Sequence, residues 1–416
     1  MTDYSTLSNN IKRRIFHYCE KLGSGLSRPK QKFIADMTYG ILGSQSSHLT
    51  KMARSLNENI ALDKTVERLS RNLMNFDDTE ALTENYFNAI KSHFDDKTVL
   101  LIDDSDISKP YSRKLEGLCK VRDGSTGEIT DGYWTVGVSA LTANKKQPIP
   151  VYSRVYSSTE QEYVSNNHEA LKALEFVSTR FSNNNIRALD RGYDSGTFFN
   201  YFISKNEKFI IRTVGNRNCE YNGQTILINE LAHKYKGKFS LKFESKDGEK
   251  LNCKISIVPV SLPKHLDTPL NLIICRGFGK EPLLLLSNLE SDDPRLCVTI
   301  VKVYLMRWRI EEYYRFKKQA FNFEKFLVRS LDSIRNLDML LSMTIGFIGV
   351  LSEKVNDSIE VKQIIQASKR LYGLALFTFY AISDGLANIF SKSRTGIKPF
   401  FLKPKPSPQL TLWKTV

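Results

Sequence analysis

Two short runs of mostly apolar residues, each closed by an acid, constrain this chain most. Val99 to Ile102 runs directly into Asp103 and Asp104, and Ile186 to Leu189 runs into Asp190. Such runs read as buried strands. A buried strand gains nothing from a terminal carboxylate, so an acid at its end marks the rim of a sheet, where α/β enzymes build their sites. One strand-end Asp commonly just starts a turn. Two of them point to chemistry.

The surrounding pattern supplies the frame. From about Ile11 to His93, apolar positions recur at helical steps, giving a small bundle that has the form of a helix-turn-helix variant or of a purely structural bundle. Strands follow at Thr98 to Asp104, Tyr133 to Leu141 and Ile149 to Tyr156. A helix at about His168 to Phe181 and strands at Ile186 to Asp190 and Lys208 to Val214 come next. This order suits an α/β core with a central mixed sheet. From about residue 215 to 290 the chain reads as a β-rich insertion, with Asn222-Gly223 and Asp247-Gly248 as hairpin turns. Asp292-Asp293-Pro294 then caps one long helix running to about Ala320, and further helices reach about Phe390. The divisions are therefore a helical region at 1–95, an α/β core at 96–330 carrying the insertion, a helical region at 331–390 and a basic tail at 391–416.

Charge suggests the partner. The 416 residues hold 60 Lys and Arg against 45 Asp and Glu, a net charge of +15 spread along the length, which fits a polyanion such as nucleic acid. The six cysteines form no CxxC pair and the six histidines lack metal-finger spacing, so no zinc module is encoded. The N-terminus has no apolar signal core. The longest apolar run, Leu340 to Leu351, is too short to span a bilayer and includes Ser342 and Thr344. The expectation is a reducing, cytoplasmic setting without a membrane.

A third acid lies in the helical segment Tyr304 to Lys318. Tyr304, Arg307, Glu311 and Lys318 stand at offsets 0, 3, 7 and 14, which on one continuous helix fall within an arc of about 60°. An i,i+4 ion pair from Arg307 to Glu311 is the ordinary structural reading of part of this face. Three carboxylates from two strands and a helix suit two Mg²⁺ ions, which prefer hard oxygen ligands. Ions about 3.5–4 Å apart would activate the attacking oxygen and stabilise the leaving one in phosphoryl transfer, with no covalent enzyme intermediate.

These residues resemble bacterial insertion-sequence transposases of the DDE superfamily, which have a retroviral-integrase (RNase H-like) core, and within them the subgroup named for its YREK motif. Tyr304, Arg307, Glu311 and Lys318 match every spacing of that motif. The resemblance implies an RNase H-like catalytic core and assigns Asp104, followed by Ser105, as the first acid, Asp190 in LDRGYDS as the second and Glu311 as the third. It implies that these hold Mg²⁺, or Mn²⁺ in its place, and that Tyr304, Arg307 and Lys318 hold DNA phosphates. It also implies transposon terminal inverted repeats and target DNA as partners, recognition of the repeats by the N-terminal helices, and a homodimer in the synaptic complex. Hairpin-forming relatives carry a stacking Trp in the insertion. The positions around Leu283 hold none, so either Trp308 or Phe278 provides the stacking face or the hairpin route is altered. The other readings are a nuclease or junction resolvase on the same core, or a transposon-derived DNA-binding protein without activity.

Overall fold

The computed structural model describes residues 4–401 except 145, 245–249, 292, 294, 370–376 and 394. The expected turn at Asp247-Gly248, the capping residues Asp292 and Pro294 and the tail from residue 402 onward lie outside the described residues. Five helices come first: α1 (Tyr4–Leu22), α2 (Arg28–Ser44), α3 (Leu49–Leu56), α4 (Leu62–Met74) and α5 (Thr79–Ile90). Strands β1 (Val99–Ser108), β2 (Cys119–Arg122), β3 (Ile129–Leu141) and β4 (Pro148–Tyr156) lead to α6 (Asn166–Ser178), β5 (Ile186–Leu189), α7 (Gly196–Ser204) and β6 (Phe209–Arg212). The insertion comprises β7 (Asn218–Tyr221), β8 (Gln224–Leu227), α8 (Ile228–His233), β9 (Phe239–Glu244), β10 (Lys250–Leu262), β11 (His265–Arg276) and β12 (Leu283–Ser287). Helices α9 (Leu296–Leu305), α10 (Trp308–Ala320), α11 (Leu331–Glu353), α12 (Ile359–Ala367) and α13 (Phe379–Ser391) complete the described chain.

The contacts separate two compact units, one of residues 1–89, 320–328 and 354–416 and the other of residues 90–319 and 329–353. In the first, α2 is the central helix: Phe33 through Leu42 are all buried, whichever face they occupy. A helix hydrophobic or enclosed all round is wrapped by its neighbours. Buried Asp36 and Glu58 are held there by Lys32 and Arg68.

In the second unit, β4, β3, β1, β5 and β6 lie side by side in that order. β3 is antiparallel to β1 and β4, while β1, β5 and β6 run parallel. This is a mixed sheet of the kind expected for the α/β core. The insertion continues the same sheet: β12 pairs with β6, β11 with β12 and β10 with β11. Helix α9 lays Cys297, Ile300, Val301 and Tyr304 on a buried cluster of Ile210, Leu241, Ile255, Ile273 and Leu285. The Asn222-Gly223 turn joins β7 to β8 with both residues at positive φ, as a type I′ hairpin turn requires. The insertion expected to be β-rich also contains the short helix α8, which follows β8 directly.

Helix α11 is long and apolar enough to cross a membrane by length and composition, and 83% of its apolar window is buried. It packs on β4, and its acid explains how. Asp338 on α11 pairs with Lys317 on α10, the two side chains 1% and 2% exposed, and accepts a hydrogen bond from Ser153 on β4 at 2.6 Å. One buried ion pair thus joins two helices to the sheet.

Candidate active site

The expected single helix from Pro294 to Ala320 is two helices. It breaks at Met306 and Arg307, where the backbone amides turn back to Val303 and Tyr304. The common helical face expected for Tyr304, Arg307, Glu311 and Lys318 therefore does not exist as such: Tyr304 lies in the last turn of one helix and Glu311 in the first turn of the next. Arg307 sits in the bend between them and still reaches Glu311.

Parallel pairing of β1 and β5 runs from Val99 opposite Ile186 to Ile102 opposite Leu189. The next residues in step, Asp103 and Asp190, stand beside each other where this pairing ends; β5 stops there, whereas β1 does not end at Asp104 as expected but continues to Ser108, held by its antiparallel pairing with β3. Successive side chains of a strand point to opposite faces, so Asp103 and Asp104 part company. Asp103 points to the face covered by α10. There its carboxylate accepts from Arg307 at 3.1 Å and its carbonyl accepts from the Tyr314 hydroxyl at 2.8 Å. Gly137, opposite Asp103 on β3, makes room for that phenol: a Cβ there would lie 2.5 Å from the Tyr314 oxygen. Asp104 faces Tyr193, and its Oδ1 is buried without a hydrogen-bond partner.

Arg307 is the centre of this cluster. Its side chain is 11% exposed, it bonds Asp103 and Glu311 together, and it feels the charge of Asp190. Its guanidinium is held even more firmly protonated than usual, by Asp103 first and then by Tyr304, Asp190 and Glu311, against the cost of burial. Burial pushes the Asp103 carboxyl up to about 7; Arg307 opposes this, and Asp190, Asp104 and Glu311 add to it. Asp104 is also pushed up to about 7 by burial, with the Tyr193 hydroxyl opposing. Asp190 accepts its neighbour's amide, from Arg191, at 2.6 Å.

The remaining expected residues are placed as follows. Tyr304 is 6% exposed within the core cluster, with Arg307, Asp190 and Arg212 around its hydroxyl. Lys318 reaches Asp106 at 3.3 Å. Trp308 is half-buried, with the Arg309 guanidinium 5.6 Å from its ring centre. Phe278 stacks on Phe243 at 5.6 Å. Glu312 pairs with Arg315 and takes no part in the acidic cluster. Sequence reasoning missed Tyr314 and the Lys317–Asp338 pair. The second left a signal: an Asp inside an apolar 23-residue helix needs a buried cation.

Among the described residues no three His, Cys, Asp or Glu side chains are close enough to hold a metal ion as they stand. The donor chemistry nonetheless suits a hard cation. Asp103, Asp190 and Glu311 surround one guanidinium, and the orphaned Asp104 oxygen lies on the adjacent residue.

Residues 157–347 match the family model described as the transposase DDE domain. The match contains Asp190 and Tyr304 to Lys318, and begins beyond the acids of β1. A cryo-EM structure of a piggyBac transposase synaptic complex with hairpin DNA is similar at 10% identity and a TM-score of 0.44, covering 91% of this chain and 74% of that one. No curated protein sequence matches the chain.

Proposed function

From a chain that carries a transposase DDE domain over residues 157–347, we infer a DNA transposase that cuts at transposon ends and joins them to new DNA by cut-and-paste transposition. The observation that carries this reading is the gathering of strand and helix acids around Arg307 where the parallel pairing of β1 and β5 ends. Strand edges of this kind are where ligands bind in α/β sheets.

The carboxylates that would hold divalent metal, Mg²⁺ or Mn²⁺, are Asp190 and Glu311 together with the β1 pair. Asp104 is favoured by the resemblance and by its partnerless buried oxygen, Asp103 by its register with Asp190. A bound pair of such ions would supply Lewis-acid activation of the attacking and leaving oxygens. The chain's own residues do the rest. Arg307 would leave Asp103 and Glu311 to grip a DNA phosphate with its planar fork, and Lys318 would act beside it as a point charge. Tyr304, fixed in the core, would orient Arg307. Trp308, flanked by Arg309, would offer a face to a base. The N-terminal helices would bind the terminal repeats, and two copies would work together on paired ends.

The test uses purified protein and a labelled duplex carrying the DNA that flanks the reading frame. Cleavage at a fixed position that requires Mg²⁺ or Mn²⁺ is expected. No cleavage of any flanking duplex with either ion would overturn the reading.

A further inference from the structure

The sheet places one further charged residue in line with the acids. β5 and β6 pair in parallel from Arg187 opposite Phe209 to Leu189 opposite Ile211. The next residues in step are Asp190 and Arg212, just as Asp103 and Asp190 are in the pairing of β1 with β5. Residues level with one another on neighbouring strands project to the same face, and neighbouring strands lie about 4.8 Å apart. Asp103, Asp190 and Arg212 therefore form one row, about 10 Å from end to end at the backbone.

Arg212 is the last residue of β6, and Leu285 of β12 pairs with it on its other side. Two residues earlier and on the same face, Ile210 lies in the buried cluster that includes Tyr304. The Arg212 guanidinium accordingly comes near the Tyr304 hydroxyl, which also has Arg307 and Asp190 around it. The chain just beyond is pinned. Asp194, its side chain 1% exposed, accepts from the Thr213 hydroxyl at 2.8 Å and from the Val214 amide at 2.7 Å. Asp194 also pairs with Arg217, so that guanidinium is satisfied within the fold. The half-buried Arg212 side chain has no hydrogen bond or ion pair among the described residues. Arg307 and Lys318, by comparison, are held by Asp103, Glu311 and Asp106.

We propose that Arg212 binds a phosphate of the DNA strand that lies on this row, on the β6 side of the phosphate that the acids engage. A guanidinium offers a planar fork to two phosphate oxygens and stays charged at every working pH. Arg212 can do this without first giving up a partner in the protein, on a backbone that Asp194 already holds in place. It also counters the repulsion that a polyanion meets at a row of carboxylates. The proposal rests on the transposase reading and adds to it a phosphate contact outside the helical motif.

The experiment compares wild type, Arg212→Gln, Arg212→Lys and Lys205→Gln, an exposed cation just past α7 that pairs with Glu175. Urea unfolding establishes stability. Fluorescence anisotropy over a salt series gives the affinity for a labelled duplex of the DNA that flanks the reading frame. The same duplex with one neutral methylphosphonate at successive positions locates the contact, and single-turnover cleavage is timed with Mg²⁺. Arg212→Gln should unfold like wild type and bind and cut roughly 10–100-fold less well. Its salt slope should be shallower by about 0.9, and it should be indifferent to the neutral linkage at one position where wild type needs the charge. Arg212→Lys should keep the slope and lose part of the affinity, and Lys205→Gln should match wild type. An Arg212→Gln protein that binds and cuts like wild type overturns this proposal alone. So does a loss of stability in both Arg212 variants with the linkage profile unchanged, which would make Arg212 a partner of Asp190 only. A wild type that cuts no flanking duplex overturns the transposase reading, and this proposal with it.

Discussion

Arg307 donates to Asp103 at 3.1 Å while bonding Glu311 on the following turn, so one guanidinium ties the middle of β1 to the start of α10. Its side chain is mostly buried, and removing it would leave two partly buried carboxylates facing each other and Asp190. Arg307→Ala should therefore lower the stability of the metal-free protein by about 1–3 kcal/mol, less than a fully buried pair because Glu311 is partly exposed. It should also abolish cleavage. Urea unfolding checks the first outcome, and unchanged stability would mean the ion pairs contribute nothing.

Asp103 and Asp104 are separable by experiment. Both carboxyls are pushed up to about 7 by burial, above the unfolded value near 4. The folded protein then binds more protons than the unfolded chain between about pH 4 and 7. The contribution of each group to stability is present below that window and lost as pH rises through it. The metal-free protein should lose stability across this range, and Asp103→Asn or Asp104→Asn should each flatten part of the fall. Metal binding needs the deprotonated groups, so Mn²⁺ affinity should rise over the same window. The amide that abolishes Mn²⁺ binding as well as cleavage identifies the liganding residue; if neither weakens the binding, the metal site lies elsewhere.

The pairing of Lys317 with Asp338 should be structural. Asp338→Asn, by stranding a buried ammonium, is expected to cost about 3–5 kcal/mol, while Lys317→Met with Asp338→Leu should recover much of that loss. Thermal melts of the single and double variants decide this. A mild effect of Asp338→Asn would show that α10 is seated by its apolar contacts instead.

Gly137→Ala should displace the Tyr314 hydroxyl from the Asp103 carbonyl, since the new methyl would lie 2.5 Å from it. Tyr314→Phe removes the clashing oxygen. The double variant is therefore expected to be closer to wild type in stability and cleavage than Gly137→Ala alone, and a simply additive double-variant cycle would break the link.

Much of this was legible in the sequence because it depends on local pattern. The strand that carries Asp103 and Asp104, the strand that ends before Asp190, the mixed sheet and the β-rich insertion follow from apolar runs and turn residues; the continuation of β1 through the polar residues to Ser108 does not, because it depends on pairing with β3. What was not legible depends on register and on breaks. The bend at Met306-Arg307 falls inside an uninterrupted helical pattern with no Gly or Pro to announce it, so the shared face of Tyr304 and Glu311 was an extrapolation. The choice between Asp103 and Asp104 turns on which residue is level with Asp190 in the parallel pairing, and two adjacent acids carry no sign of that. The spacing announced the Arg307–Glu311 pair, but it could not reveal that Arg307 and Lys318, both suited to phosphates, also rest against Asp103 and Asp106.

The proposed transposase must join DNA at this acidic centre as well as cut it. The most direct measurement incubates labelled flanking-end duplex with a supercoiled plasmid, protein and Mg²⁺, and looks for label covalently attached to the plasmid. Labelled, joined plasmid is expected with wild type and none with Glu311→Gln, although that variant still binds the end. Cleaved end without any joined product would contradict it and identify a nuclease instead.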